Sequence, residues 1–97
     1  MEARSRTYVV ECYSPAIDRR AVESTRHRAI AAAAELRDEG RGVEYRGALF
    51  VPGDEVVFHL FTAGSLSAVR EASLRAGVDF ERVLESIPIG IATLGLG

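Results

Sequence analysis

His59 is the residue of this sequence whose chemistry is hardest to explain by packing alone. It interrupts the segment EVVFHLF (residues 55–61), whose other members are mostly typical of a buried strand. The unperturbed pKa of histidine is about 6.5, so an imidazole can ligate a metal or transfer a proton near neutral pH. It can equally be a half-buried residue that hydrogen bonds to one neighbour. The segment by itself leaves these alternatives open.

Three further candidates follow one another at the end of the segment TYVVECY (residues 7–13). Glu11 could orient an imidazole, act as a base or ligate a metal, or it could pair with an arginine such as Arg46. Tyr13 could donate a hydrogen bond to a ligand. Cys12 is the only cysteine, and a lone buried cysteine usually behaves as a small apolar residue. The chain has no zinc-finger spacing and lacks the glycine-rich motifs that bind nucleotides.

The residues around these candidates predict four strands and two helices. Segments rich in β-branched and aromatic residues indicate strands, which we place at residues 7–13, 43–51, 55–61 and 82–89. Asp18 is a good N-cap and Gly40 a good C-terminal stop, so they bound a long first helix. Ser65 or Ser67 begins a shorter second helix that ends at Gly77. The predicted order along the chain is β-α-β-β-α-β.

Apolar residues at three- and four-residue spacing predict the buried face of each helix. In the first helix this stripe consists of Val22, Thr25, Ala29, Ala33 and Leu36. In the second helix it consists of Leu66, Val69, Ala72 and Ala76. Because both stripes contain so much alanine, we expect the helices to lie close to the surface that they cover.

This order of elements in 97 residues favours an α+β, ferredoxin-like sandwich. We expect an antiparallel four-stranded sheet with the first and third strands in the middle and both helices on one face. The chain is long enough for one core, so residues 1–97 form a single domain with a core at about residues 7–89 and a tail at residues 90–97.

Alternation along the two central strands predicts which residues leave the core. We expect the apolar sets to face the helices, namely Val10 and Cys12 in one strand and Val56, Phe58 and Leu60 in the other. The open face then carries Glu11, Tyr13, His59 and Phe61, together with Val9, Val57 and Phe50. So much exposed apolar surface predicts a homodimer whose sheets face each other around a cavity.

The net charge of −2 argues against nucleic acid as a partner, because phosphate binding needs a basic surface. No apolar stretch approaches the roughly 20 residues needed to cross a membrane, and the first residues lack the apolar segment of a signal peptide. We therefore expect a cytoplasmic protein that does not bind membranes.

Three segments carry a resemblance to a known family: YVVECYSP, VEYRGALFVPGDEVVFHLF and AVREASLRAGVDFERVLES. There the chain resembles a family of small bacterial ferredoxin-like proteins that is named for a nickel-binding actinobacterial member. The resemblance covers about residues 7–88 and implies a dimeric α+β barrel, with metal ions held by side chains in the namesake branch. Many relatives carry a histidine in a segment like EHARRAG, where this chain has EASLRAG, so Ala72 replaces an imidazole. His59 and Glu11 are the donors that remain, with Cys12 as a less favoured third.

Three functions follow from these observations. The first is binding of nickel or another divalent transition metal by His59 and Glu11, completed by a partner subunit or by water. The second is binding of an organic molecule in the dimer cavity, as in a cofactor-free enzyme with His59 as proton-transfer group, Glu11 as its orienter and Tyr13 as hydrogen-bond donor. The third is a dimerisation or interaction module that holds no ligand.

Overall fold

The computed structural model describes residues 5–90 and confirms the predicted order of elements. Its strands and helices are β1 (Arg6–Tyr13), α1 (Arg19–Asp38), β2 (Val43–Val51), β3 (Val56–Ala63), α2 (Leu66–Arg75) and β4 (Arg82–Ser86). The strands form one antiparallel sheet in the order β2-β3-β1-β4, so β1 and β3 lie in the middle. This is the ferredoxin-like α+β fold. None of the helices described is both long and apolar enough to cross a membrane.

The long helix α1 begins and ends where its local sequence predicts. The side chain of Asp18 accepts a hydrogen bond from the backbone N–H of Ala21 at 2.9 Å, which satisfies one of the free donors of the first turn. After the last turn, Gly40 takes a left-handed φ of 84°, a conformation that favours glycine. The buried residues are Val22, Ala29, Ala32, Ala33 and Leu36. Thr25, which we expected in this stripe, is half-buried.

The short helix α2 is capped by Ser65, whose side chain accepts a hydrogen bond from the N–H of Ala68 at 3.2 Å. Its buried residues are Ala68, Val69, Ala72 and Ser73. Leu66 was expected in the core but is 40% exposed. Three- and four-residue spacing fits the expected buried stripe of α2 and the observed one equally well. The observed stripe places small side chains against the sheet.

The register between the two central strands shows which face of β3 is covered by the helices. Val10 lies directly opposite His59, and Cys12 lies opposite Val57. Directly paired residues of an antiparallel sheet project from the same face. His59 and Val57 therefore share the helix-covered face with Val10 and Cys12. In the same way Phe61, opposite Tyr8, lies in the core.

The expectation that His59, Val57 and Phe61 lie on the open face is therefore wrong. The same holds for Phe50, which pairs with Val57 and so lies on the helix-covered face. The open face instead carries Val56, Phe58 and Leu60 of β3. Between Val56 and Phe61, both alternating sets of β3 are apolar apart from His59, so alternation within this segment could not tell them apart. Pairing with β1, whose two faces differ in polarity, decides between them.

The last strand is shorter than the prediction of residues 82–89. It ends at Ser86, and Ile87 and Ile89 beyond it are exposed. Of the predicted tail at residues 90–97, residues 91–97 lie outside the described part of the chain.

Candidate functional site

His59 is buried in the core between the sheet and the helices, with only 3% of its surface exposed. Its Nδ1 lies 2.8 Å from the hydroxyl oxygen of Tyr45, and no other hydrogen bond to the ring is formed within residues 5–90. The two rings are tilted by 48°, with their centroids 5.7 Å apart. The Tyr45 ring also meets the edge of Phe61 at 5.2 Å between centroids. His59 is thus held by one hydrogen bond and by aromatic packing.

A β-bulge in β2 brings Tyr45 to this position. Tyr45 pairs with Phe61, but the next paired residue is Gly47, opposite Leu60, so that Arg46 is the extra residue. The bulge shifts the alternation by one residue, and both Tyr45 and Ala48 consequently face the helices. The contact between Tyr45 and His59 was not predicted from the sequence. The signal that could have revealed it is Gly47, because a glycine inside a strand often marks a bulge.

A cavity of about 130 Å³ lies beside His59 on the helix-covered face. Its lining includes His59 and Cys12 from the sheet, Val22 and Thr25 from α1, and Val78 and Asp79 from the connection between α2 and β4. An engineered protein cavity of about 150 Å³ holds a molecule of benzene, so this space suits a ligand of similar size.

We assign the second ring nitrogen of His59, Nε2, to this cavity, which His59 lines. In the described part of the chain, the only buried side-chain nitrogen or oxygen that lacks a partner and is sealed from solvent is Ser73 Oγ. Nε2 of His59 forms no hydrogen bond there either. It is therefore not sealed, and the cavity that the ring lines gives it access.

Burial sets the protonation state of the pair. Burial lowers the pKa of His59 to about 4, so the imidazole is neutral near pH 7. Burial also raises the pKa of the Tyr45 hydroxyl, which keeps its proton. Each partner can donate in the hydrogen bond between them, and the tautomer decides whether Nε2 presents a donor or an acceptor to the cavity.

Cys12 lines the same cavity as a thiol. Its pKa is raised to about 11, mainly by burial. The negative charges of Asp79, Glu81 and Glu11 make smaller contributions in the same direction. Because the thiolate is the reactive and metal-binding form, Cys12 is not activated as a nucleophile. It fits the prediction of a small apolar residue in the core.

Glu11 and Tyr13 lie on the opposite side of the sheet. Glu11 Oε1 accepts a hydrogen bond from Arg82 Nε at 2.6 Å, and the pair sits on the open face. The expected partner, Arg46, instead contacts Glu44 at 3.3 Å. Tyr13 is 52% exposed. The set of His59, Glu11 and Tyr13 therefore does not form one site, because the sheet separates the first from the other two.

The residues near His59 do not make up a metal site on their own. Residues 5–90 contain no group of three or more histidine, cysteine, aspartate or glutamate side chains placed to hold an ion. His59 and Cys12 share a cavity, whereas stable transition-metal sites normally use three or four protein ligands. Ala72 is fully buried in α2 and offers no donor. Nickel binding stays a prediction that this geometry does not support.

Comparison with known proteins supports the fold alone. The chain matches no protein-family model and no curated protein. It is similar to the crystal structure of SCO4226 from Streptomyces coelicolor A3(2), with a TM-score of 0.66 and 21% sequence identity. The similarity covers 87% of this chain and 98% of that one.

Proposed function

We propose that this protein binds a small organic molecule in the cavity beside His59, with Nε2 of the imidazole as the group that recognises it. One observation carries the proposal: a histidine in the core has one nitrogen held by Tyr45, has no partner for the other among the described residues, and lines a cavity of about 130 Å³. We call this space the His59 cavity.

A polar side chain in a core is destabilising unless it is hydrogen bonded. In the His59 cavity the second hydrogen bond is left for an occupant. The other lining residues include apolar ones such as Val22 and Val57, with Ser14, Thr25 and Asp79 as further polar groups. Small-molecule sites generally combine an apolar lining with a few convergent polar groups. The ligand is accordingly a compact, largely apolar group about the size of benzene that carries one hydrogen-bonding atom.

The protonation state of His59 favours binding over acid–base catalysis. With a pKa of about 4, about one imidazole in a thousand is protonated at pH 7. General acid–base catalysis works best when the pKa of the group lies near the working pH. A neutral imidazole that is fixed by Tyr45 suits hydrogen-bond recognition instead.

The proposal includes a homodimer formed through the open face of the sheet, which is not part of the His59 cavity. Apolar side chains cover this face: Val9, Leu49, Val51, Phe58, Leu60 and Leu84. The ion pair of Glu11 and Arg82 places both signs of charge on this face, so that the face can pair with a second copy of itself across a two-fold axis. We place the protein in the cytoplasm, because its one cysteine is a free thiol.

Titration with phenol tests the proposal, since phenol is benzene-sized and carries one hydroxyl. In two-dimensional NMR spectra of ¹⁵N-labelled protein, phenol should shift the amide signals of Thr25, Val78 and Asp79 in a saturable way. His59→Phe keeps a ring in place but removes Nε2, so phenol should bind about fivefold more weakly. His27→Ala, at the exposed histidine of α1, is the matched control and should not change the affinity.

Equal phenol affinity in the wild type and in His59→Phe would refute the role of the imidazole. Shifts confined to the open face would refute the cavity. Ni²⁺ is titrated in parallel into chelator-treated protein, and tight binding that disappears in His59→Phe would replace this proposal with the metal hypothesis.

A further inference from the structure

A second cavity of about 340 Å³ adjoins the His59 cavity. It lies between the first turns of α1 and the edge strand β2. Its lining consists of Arg19, Val22, Glu23, Arg26, Ala48 and Phe50. Val22 lines both cavities, so the side chain of one residue stands between them. We call this second space the arginine cavity.

The sheet residues beneath the two cavities are direct neighbours. Ala48 pairs with His59 across the ladder, and Phe50 pairs with Val57. Paired side chains of an antiparallel sheet lie about 5 Å apart on the same face. We take the two cavities, which share Val22 as a lining residue, as the two ends of one trough beneath α1.

The two ends of this trough differ in charge. The His59 end has a neutral imidazole, a protonated thiol and, at its rim, the carboxylate of Asp79. In the arginine cavity, two guanidinium groups face one carboxylate. Arg26 Nε donates to Glu23 Oε1 at 2.7 Å, and Arg19 forms no side-chain hydrogen bond or ion pair with the residues that the structure describes. One positive charge is therefore left unbalanced at this end.

We infer that the ligand of the His59 cavity is an organic acid, whose uncharged end contacts His59 and whose carboxylate is bound by Arg19 and Arg26. This inference rests on the proposed function and adds the chemical class of the ligand. A guanidinium presents N–H donors in a planar fork that matches a carboxylate, and the apolar walls of Ala48 and Phe50 reduce the competition from water. Glu23 competes with the ligand for Arg26.

The length of the acid follows from the spacing of the strands. Adjacent strands lie about 4.8 Å apart, so the carboxylate stands roughly one strand spacing from the group at His59. 3-(4-Hydroxyphenyl)propionate has the ring and hydroxyl of phenol, with an acid at about this distance from the ring. Its amide, 3-(4-hydroxyphenyl)propionamide, has nearly the same shape without the charge. The two compounds together isolate the contribution of the arginine cavity.

The experiment measures the affinities of 3-(4-hydroxyphenyl)propionate, 3-(4-hydroxyphenyl)propionamide and phenol by NMR titration at low ionic strength. The wild type should bind the acid about tenfold more tightly than the amide, and added salt should reduce this preference. Arg19→Gln should remove most of the preference. Glu23→Gln should increase it, because Arg26 loses its competing carboxylate. Arg20→Gln, at the neighbouring exposed arginine outside both cavities, should change nothing, and none of the three variants should alter the affinity for phenol.

The outcomes separate this inference from the proposed function. If phenol binds and depends on His59 while acid and amide bind equally, the inference is overturned and the proposed function stands. If neither phenol nor the acid binds, both fail. An acid preference that survives Arg19→Gln, or acid binding that is insensitive to His59→Phe, overturns the shared trough. Opposite effects of Arg19→Gln and Glu23→Gln support it.

Discussion

The burial of His59 predicts a strong dependence of stability on pH. Its pKa is about 4 in the folded protein, because burial disfavours the charged ring, and about 6.5 when the chain is unfolded. Between these values the unfolded state binds more protons than the folded state. Stability therefore falls as the pH is lowered through this window and is fully retained above it. Between pH 7 and pH 4.5 the loss amounts to about 2 kcal/mol, from the linkage relation.

Urea unfolding followed by circular dichroism measures this loss. With a slope of about 1 kcal/mol per molar urea, the midpoint should fall by about 2 M between pH 7 and pH 4.5. In His59→Phe the side chain at position 59 cannot be protonated, so the urea midpoint of this variant should change much less over the same range. At pH 7 this variant should itself be less stable by about 1–3 kcal/mol, since the buried hydroxyl of Tyr45 loses its partner. His27→Gln, at the exposed histidine, should follow the wild type.

Two results would refute this reasoning. If His59→Phe loses as much stability as the wild type at pH 4.5, other groups cause the pH dependence. If His27→Gln abolishes the dependence, the exposed histidine is the titrating group. The range stops at pH 4.5 to stay above the usual pKa values of glutamate and aspartate, about 4.3 and 3.9.

Three further predictions concern other parts of the molecule. Ser73→Ala removes a buried hydroxyl that has no partner among the described residues and should raise the stability by about 1 kcal/mol in thermal melts; a loss of that size would show that the hydroxyl is satisfied. Leu49→Glu on the open face should convert a dimer into a monomer in light scattering, whereas Leu74→Glu on the exposed side of α2 should not. A monomeric wild type would refute the dimer. Iodoacetamide should alkylate Cys12 of the folded protein about a hundredfold more slowly at pH 7.5 than in urea, by mass spectrometry, and equal rates would contradict its raised pKa.

Much of the fold could be predicted from the sequence because its signals are local. Asp18 and Ser65 bond to N–H groups three residues ahead, and Gly40 and Gly77 take the left-handed conformations that end helices. Such preferences act within a few residues, so they can be identified before any tertiary contact is known.

The candidate site could be predicted only in part. His59 was identified as the central residue, but Glu11 and Tyr13 were placed beside it although the sheet lies between them. Their position depends on the pairing of β1 with β3, a contact between residues about fifty positions apart in the chain. The hydrogen bond between Tyr45 and His59 depends further on the bulge in β2.

The sequence by itself determined the class of fold, the ends of the helices and the central position of β1 and β3. It also singled out His59 as the polar residue in an apolar strand. Only the tertiary structure decided that this histidine faces the helices, that Tyr45 holds it and that cavities lie on both sides of Val22. The physical reason is that a strand with two apolar faces has no preferred side until its neighbours pair with it, and that single choice of register decides which groups meet.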